Sequence, residues 1–414
     1  SKTIWRPRDL PKVLAEAFNV FNGGRPRPVH IQIPVDIITA DASDVPQQVG
    51  ALTQVPAPAP ALLDQAAALL AKAERPLICY GGGVRWVGQQ AATELAELLD
   101  APTLLTANAK GLLAPGHYLS LGSNHSCAPV WQLVREADVV LALGTEMGET
   151  DYDLTFEDSF PQPQCLIRVD LDPAQLNRPY LARLAIVGDA GAAVHGLLER
   201  LPEQSDRGGA AAAAAVREQL VAAQTARVAG QCAVLQLIRE TLPGVALVGD
   251  STQPVYSGAF GFEAAAPCTW FNSATGYGTL GYALPAAIGA RLASDQPAVA
   301  IIGDGGIQFT LPELMAAVDH EVPAIILIWH NQGHGEIRSY MQERDLPTIG
   351  VNIAAPDYSI MAEGFGAAYV RADSAAGLRD ALTSAAKAQG PTVIEVDEAD
   401  AFIHELGADY AFFS

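Results

Sequence analysis

The chain has 414 residues, half of them hydrophobic, and a formal net charge of -21. This length predicts two or three cores, and the composition suits a compact α/β protein and excludes a disordered or fibrous one. The acidity lacks the footprint of a nucleic-acid binder, and no apolar run approaches the ~20 residues that span a bilayer.

Cys79, Cys127, Cys165, Cys232 and Cys268 are scattered and lack Cys-x-x-Cys spacing, so they read as core thiols of a reducing, cytoplasmic compartment. The start, Ser1-Lys2-Thr3-Ile4-Trp5-Arg6, has neither a signal-peptide stretch nor an initiator Met. The expectation is a cytoplasmic chain that does not begin where its gene does.

In chain order, residues 10–21 have helical spacing, and Gly23-Gly24-Arg25-Pro26 turns the chain into an apolar strand ending at Pro34-Val35-Asp36. The alternating prolines of 55–60 form a stiff linker. Residues 76–80 predict a buried strand, Gly81-Gly82-Gly83 a tight turn and 91–99 a helix. That order resembles a nucleotide-binding crossover, but three glycines are not the full dinucleotide fingerprint and the helix begins late. A structural α/β domain is therefore preferred over an FAD or NAD site. Strands at 137–143 and 164–169 carry it to about residue 200, and the stretch 205–215, with its six alanines, marks a boundary. Three segments result: 1–45, 56–200 and 228–414.

In the last segment, strand 245–248 leads into Gly249-Asp250-Ser251-Thr252-Gln253, and the final strand is 391–396. Between them, 298–302 and 323–329 read as buried parallel strands. The helix 311–320 joins these two, with Pro312 and Glu313 in its first turn. Gly303-Asp304-Gly305 follows one strand and His330-Asn331-Gln332 the other, so the two polar turns converge at one end of a strand, helix, strand unit. Such convergence suits a hard divalent cation, which takes a carboxylate, an amide oxygen and backbone carbonyls; Asp304, Asn331 and the Gly333 carbonyl offer that set. Gly305 and Gly306 allow phosphate oxygens close to the backbone at a helix start. Gly-Asp-Gly alone is a weak signal, and two ordinary strand-end turns are the bland alternative.

These turns resemble the signature of thiamine diphosphate enzymes of the acetolactate synthase and 2-oxo acid decarboxylase family, in which Gly-Asp-Gly is followed by Asn-Asn at about this distance. Here the pair is His330-Asn331, so the metal-binding Asn is kept and the first is replaced. The block from Gly276-Tyr277-Gly278-Thr279-Leu280-Gly281 to Ala290 is similar to the family's segment around the aminopyrimidine. The Gly-Arg-Pro turn and strand near the start are similar to the end of its pyrimidine-binding domain.

The resemblance implies a Rossmann-like middle domain and a doubly wound parallel-sheet thiamine diphosphate domain, preceded by the tail of a pyrimidine-binding domain. It implies thiamine diphosphate and Mg2+ as cofactors, although the same ligands suit Ca2+, with the metal on Asp304, Asn331 and Gly333. Cofactor contacts would come from Ser251, Thr252, Gln253, Gly278, Leu280, Gly305, Gly306, Asn331, Gly333 and His334. Leu280 would be the apolar wedge that bends the cofactor, unless it is simply a core residue. The family's subunit-spanning site implies a homodimer or homotetramer.

Acetolactate synthases carry a stretch like Gly-x-Arg-Phe-Asp-Asp-Arg in the middle domain. Here it reads Gly144-Thr145-Glu146-Met147-Gly148-Glu149-Thr150-Asp151, and carboxylates in place of arginines would repel a second anionic oxo acid. Gly335-Glu336-Ile337 replaces the synthases' Gly-Met-Val. Glu336 could pair with a cationic substrate tail, or be a solvated helix charge beside Arg338. The acidic stretch 146–153 could face the same pocket. His334 is a candidate proton donor by type and position, or a loop histidine touching diphosphate or water.

Leu280, His334 and Glu336 are thus the catalytic candidates, and the features look most like the 5-guanidino-2-oxopentanoate decarboxylase group. The expected reaction is non-oxidative decarboxylation of a small 2-oxo acid to an aldehyde, with no nucleic-acid or membrane partner. The alternatives are a carboligase and a truncated, non-catalytic homologue. The family's activating Glu belongs to a part of the first domain that this chain lacks, and Glu16 is a poor substitute.

Overall fold

The computed structural model describes residues 1–48, 50–152, 160–202 and 206–413, with the Thr150 side chain set aside. Its strands are β1 (Lys2–Thr3), β2 (Ile31–Gln32), β3 (Pro76–Tyr80), β4 (Thr103–Leu105), β5 (Val139–Leu143), β6 (Leu166–Asp170), β7 (Leu184–Val187), β8 (Ala246–Gly249), β9 (Trp270–Asn272), β10 (Ala298–Gly303), β11 (Ile325–His330), β12 (Ala368–Arg371) and β13 (Thr392–Asp397). They form three parallel sheets: β1-β2, β4-β3-β5-β6-β7 and β12-β13-β11-β10-β8-β9.

The continuous apolar runs are explained by burial on both faces. Successive side chains of a strand alternate sides, so Ile78, Tyr80, Leu141 and Leu143 enter one core while Leu77, Cys79, Val140 and Ala142 enter another. The C-terminal sheet divides likewise, Val299, Ile301, Leu327 and Trp329 on one side and Ala300, Ile302, Ile326 and Ile328 on the other. Helices cover both faces, as a wholly parallel sheet requires.

Both larger sheets reverse strand order at one point. In the C-terminal sheet β8 has β9 on one side and β10 on the other; in the middle sheet β3 lies between β4 and β5. A crevice outside the carboxyl ends of the strands is expected at such a switch.

Several local expectations shift. The strand near the start shortens to Ile31–Gln32, the helix after the glycine triplet begins at Gln89, and Gly82–Val87 winds as a 3-10 turn. Pro312 is the N-cap of Glu313–Asp319 rather than part of its first turn. Ser205 and Asp153 lie outside the described residues, so the second boundary is seen only from Asp206, ahead of the helix Gly209–Ala222. Of the five thiols only Cys79 and Cys232 are core; Cys127 and Cys165 are half-buried, Cys268 is exposed, and all are free. Among the described residues no helix is long and apolar enough to cross a membrane.

Candidate active site

The register of β10 against β11 sets Gly303 opposite Trp329, so Asp304 and His330 stand side by side one step further on. Asp304 is wholly buried. Its Oδ1 accepts the Gly305 N–H at 2.8 Å, and its Oδ2 accepts the Gly333 N–H at 3.0 Å. The second bond joins the two polar turns. Gly333 is held by geometry as well as chemistry: its φ is 139°, and a Cβ there would lie 2.2 Å from the Val351 carbonyl oxygen, a clash no side chain tolerates.

Asn331 provides the test of whether a cation fits. Its amide oxygen is buried and has no hydrogen-bond partner among the described residues, a costly state unless a ligand completes it. Arg338 fixes the loop from behind, donating to the Asn331 and Gln332 carbonyls at 2.8 and 3.2 Å. A Cβ on Gly335 would come within 2.4 Å of the Asn331 side-chain nitrogen, so only glycine leaves that amide in place. Among the described residues no three His, Cys, Asp or Glu side chains are grouped to hold a metal. A cation here would depend on the mixed set of carboxylate, amide and backbone oxygen, which suits hard ions.

Gly305 and Gly306 make a cradle on the other side. A Cβ on Gly305 would lie 2.9 Å from the His334 ring, and one on Gly306 would lie 3.1 Å from Asp250 Oδ1. His334 is therefore brought against the Gly-Asp-Gly turn. Sequence reasoning passed over Asp250. It directly follows β8 at the switch point, accepts the Ser251 and Ala283 N–H groups at 2.9 and 3.1 Å, and is fully buried. Burial raises its carboxyl above the usual range, against the pull of those backbone N–H groups. The signal was present, since Gly249-Asp250 repeats Gly303-Asp304 at a second strand end.

The remaining candidates are distributed around this centre. Ser251 Oγ lies 3.2 Å from Ser273 Oγ, and Thr252 is buried beside Gly303. The Gly278 N–H donates to the Ser273 carbonyl at 2.9 Å, with φ of 66°. Leu280 is half-buried and is not among the residues of the packed core that takes Leu284.

Gln253 turns toward two carboxylates. With its nitrogen toward Glu398 it donates at 2.5 and 3.0 Å and its oxygen accepts from Arg227 at 3.2 Å. We favour this orientation over the reversed one, which among the described residues makes a 3.5 Å contact to Glu336 and would set the amide oxygen against Glu398. Glu336 is exposed in the first turn of Gly335–Glu343. Arg338 is committed to the loop carbonyls and Asn352, so the anticipated pairing of Glu336 with Arg338 is not what the structure shows.

The acidic stretch lies elsewhere. Glu146, Glu149 and Asp151 line a crevice of about 390 Å3 at the switch point of the middle sheet, with Arg25, Asp170 and Thr275, and Glu336 is not among its lining residues. Glu146 pairs with Arg25 at 2.6 Å and with Arg27 at 3.9 Å. The glycine triplet beside this crevice serves chain-to-chain contact: a Cβ on Gly81 would lie 2.2 Å from the Gly144 carbonyl oxygen, and one on Gly83 2.9 Å from Gly144 Cα. Glu16, on the helix Leu10–Asn22, pairs with Lys2 at 3.0 Å at the surface.

Residues 249–396 match the model of the thiamine pyrophosphate enzyme C-terminal TPP-binding domain, and residues 63–197 that of the central domain. The chain is 38% identical to a probable 2-ketoarginine decarboxylase of Pseudomonas aeruginosa, an alignment covering 95% of this chain and 70% of that protein. It is 29% identical to an acetolactate synthase of Mycobacterium leprae, over 91% of this chain and 64% of that one. Benzoylformate decarboxylase from Polynucleobacter necessarius shares the fold, with a TM-score of 0.75 at 20% identity over 95% of this chain and 75% of that one. The chain belongs to the thiamine pyrophosphate-dependent enzyme family, with thiamine diphosphate as the cofactor of its C-terminal domain.

Proposed function

We propose that the protein decarboxylates a 2-oxo acid with a cationic tail, 5-guanidino-2-oxopentanoate being the candidate, and releases an aldehyde. The observation that carries this reading is Glu336. Its carboxylate is exposed one turn from Asn331, and the nearest cation in sequence, Arg338, is bound to backbone carbonyls instead. A guanidinium tail offers the bidentate partner that a carboxylate lacks there. The likeness to the 2-ketoarginine decarboxylase supports the same substrate class.

In this reading Mg2+ is held by Asp304, the Asn331 amide oxygen and the Gly333 carbonyl. The Gly305-Gly306 cradle and the Ser251-Thr252 turn receive the diphosphate, and Leu280 and Gly278 flank the heterocycle. Thiamine diphosphate, when bound, supplies the electron sink for decarboxylation. In the same reading His334, whose ring lies against Gly305, would deliver the proton that the product-forming carbon takes up. Domain limits near residues 45, 56, 200 and 228, and assembly as a homodimer or homotetramer, are part of the same proposal.

Steady-state assays of the protein with thiamine diphosphate and Mg2+ on the guanidino oxo acid, pyruvate and benzoylformate test it. Preferential carbon dioxide and aldehyde release from the guanidino acid is expected. Exclusive acetolactate formation from pyruvate would overturn it in favour of a carboligase.

A further inference from the structure

His330 stands where the family's signature has its first asparagine, and the structure gives this replacement a setting of its own. His330 Nδ1 lies 2.9 Å from Glu395 Oε1, within hydrogen-bond distance, and Nε2 faces Asp304 Oδ2 at 3.8 Å. Glu395 is fixed from behind: the Tyr369 hydroxyl donates to its Oε2 at 2.7 Å, and Arg371 lies 3.7 Å from its Oε1. Arg371 is itself anchored by both oxygens of Asp400 at 3.1 Å. The Tyr358 ring meets the imidazole edge-on, with centroids 5.7 Å apart. Tyr369 and Arg371 lie on β12, Glu395 on β13, His330 on β11 and Asp304 just past β10, and this is the order of the strands across the sheet. The contacts thus run sideways from the sheet edge to the buried carboxylate.

We propose that Tyr369, Glu395 and His330 form a buttress that orients the Asp304 carboxylate toward the cation. This rests on the reading that Asp304 and Asn331 hold that cation. Asp304 has one N–H on each oxygen, from Gly305 and Gly333; the imidazole closes the side facing β11. Carboxylate and histidine groups behind metal ligands are worth about 10–100-fold in metal affinity. His330 and Glu395 are accordingly positioning residues, acting through Asp304.

The test is Mg2+ titration by calorimetry of the full chain with thiamine diphosphate present, alongside thermal unfolding. His330→Ala and Glu395→Gln should each weaken Mg2+ binding about tenfold or more, and the double variant should lose little beyond either single one, because both act on one carboxylate. Tyr369→Phe, which removes one hydroxyl, should weaken it by a smaller factor and serves if the others fail to fold. A purely structural role would lower the unfolding temperature and leave the Mg2+ Kd unchanged, and unchanged affinity in the folded variants overturns the buttress. If the unaltered protein binds no Mg2+ in the presence of the cofactor, the site itself is overturned and the buttress with it.

Discussion

Glu336 and Asn331 are five positions apart and differ in what their neighbours leave undone. The Asn331 amide oxygen is buried without a partner, whereas Glu336 is exposed with its sequence neighbour Arg338 engaged elsewhere. An exposed pair with a substrate cation is worth about 0.2–1 kcal/mol. Glu336→Gln should therefore lower kcat/KM for the guanidino acid by roughly 1.4- to fivefold, with benzoylformate turnover unmoved. An equal loss on both substrates, in a side-by-side kinetic comparison, would refute the pairing. As candidates, Asp304 and Asn331 could be picked out in the sequence because a carboxylate and an amide just past strand ends suit a hard cation, with the Gly333 carbonyl as a third donor. Asp250 was signalled by the repeat of Gly-Asp at a second strand end; Glu395 and the loop-binding role of Arg338 were not, because spacing along the chain does not encode lateral neighbours or which loop carbonyls a helix side chain reaches.

At the scale of elements, the loop 331–334 owes its shape to contacts from outside it. The His334 N–H donates to the Val351 carbonyl at 2.9 Å, and that oxygen occupies the space a Gly333 side chain would need. Gly333→Ala should destabilise the fold by about 1–3 kcal/mol and weaken cofactor binding, read from denaturant midpoints and a thiamine diphosphate titration. Unchanged values in both would show that the loop has slack. The buried strands of both large sheets could be read from apolar runs, since burial on two faces makes them continuous. The short β4, β9 and β12 could not, because three or four residues bounded by polar turns carry no period long enough to detect.

For the whole molecule, Lys110 joins the two large sheets' domains by donating to the Phe262 carbonyl at 2.6 Å while almost fully buried. Burial lowers its pKa from the usual 10.5 to about 8, opposed by the charges of Glu263, Cys232 and Asp151. Between those values the unfolded chain binds the proton that the folded one has released, so this group's contribution to stability rises with pH. The stability of the unaltered protein relative to Lys110→Met should accordingly climb between about pH 8 and 10.5; a flat difference in urea unfolding would sink the assignment. This bond did not show in the sequence, since Lys110 reads as an ordinary surface cation until the packing is seen. A further consequence lies in Gly81, Gly83 and Gly144, whose backbones meet at the middle sheet's switch point. With respect to substitution they are one position written three times: a side chain at any of them parts the two turns, and once parted, the other two glycines have nothing left to protect.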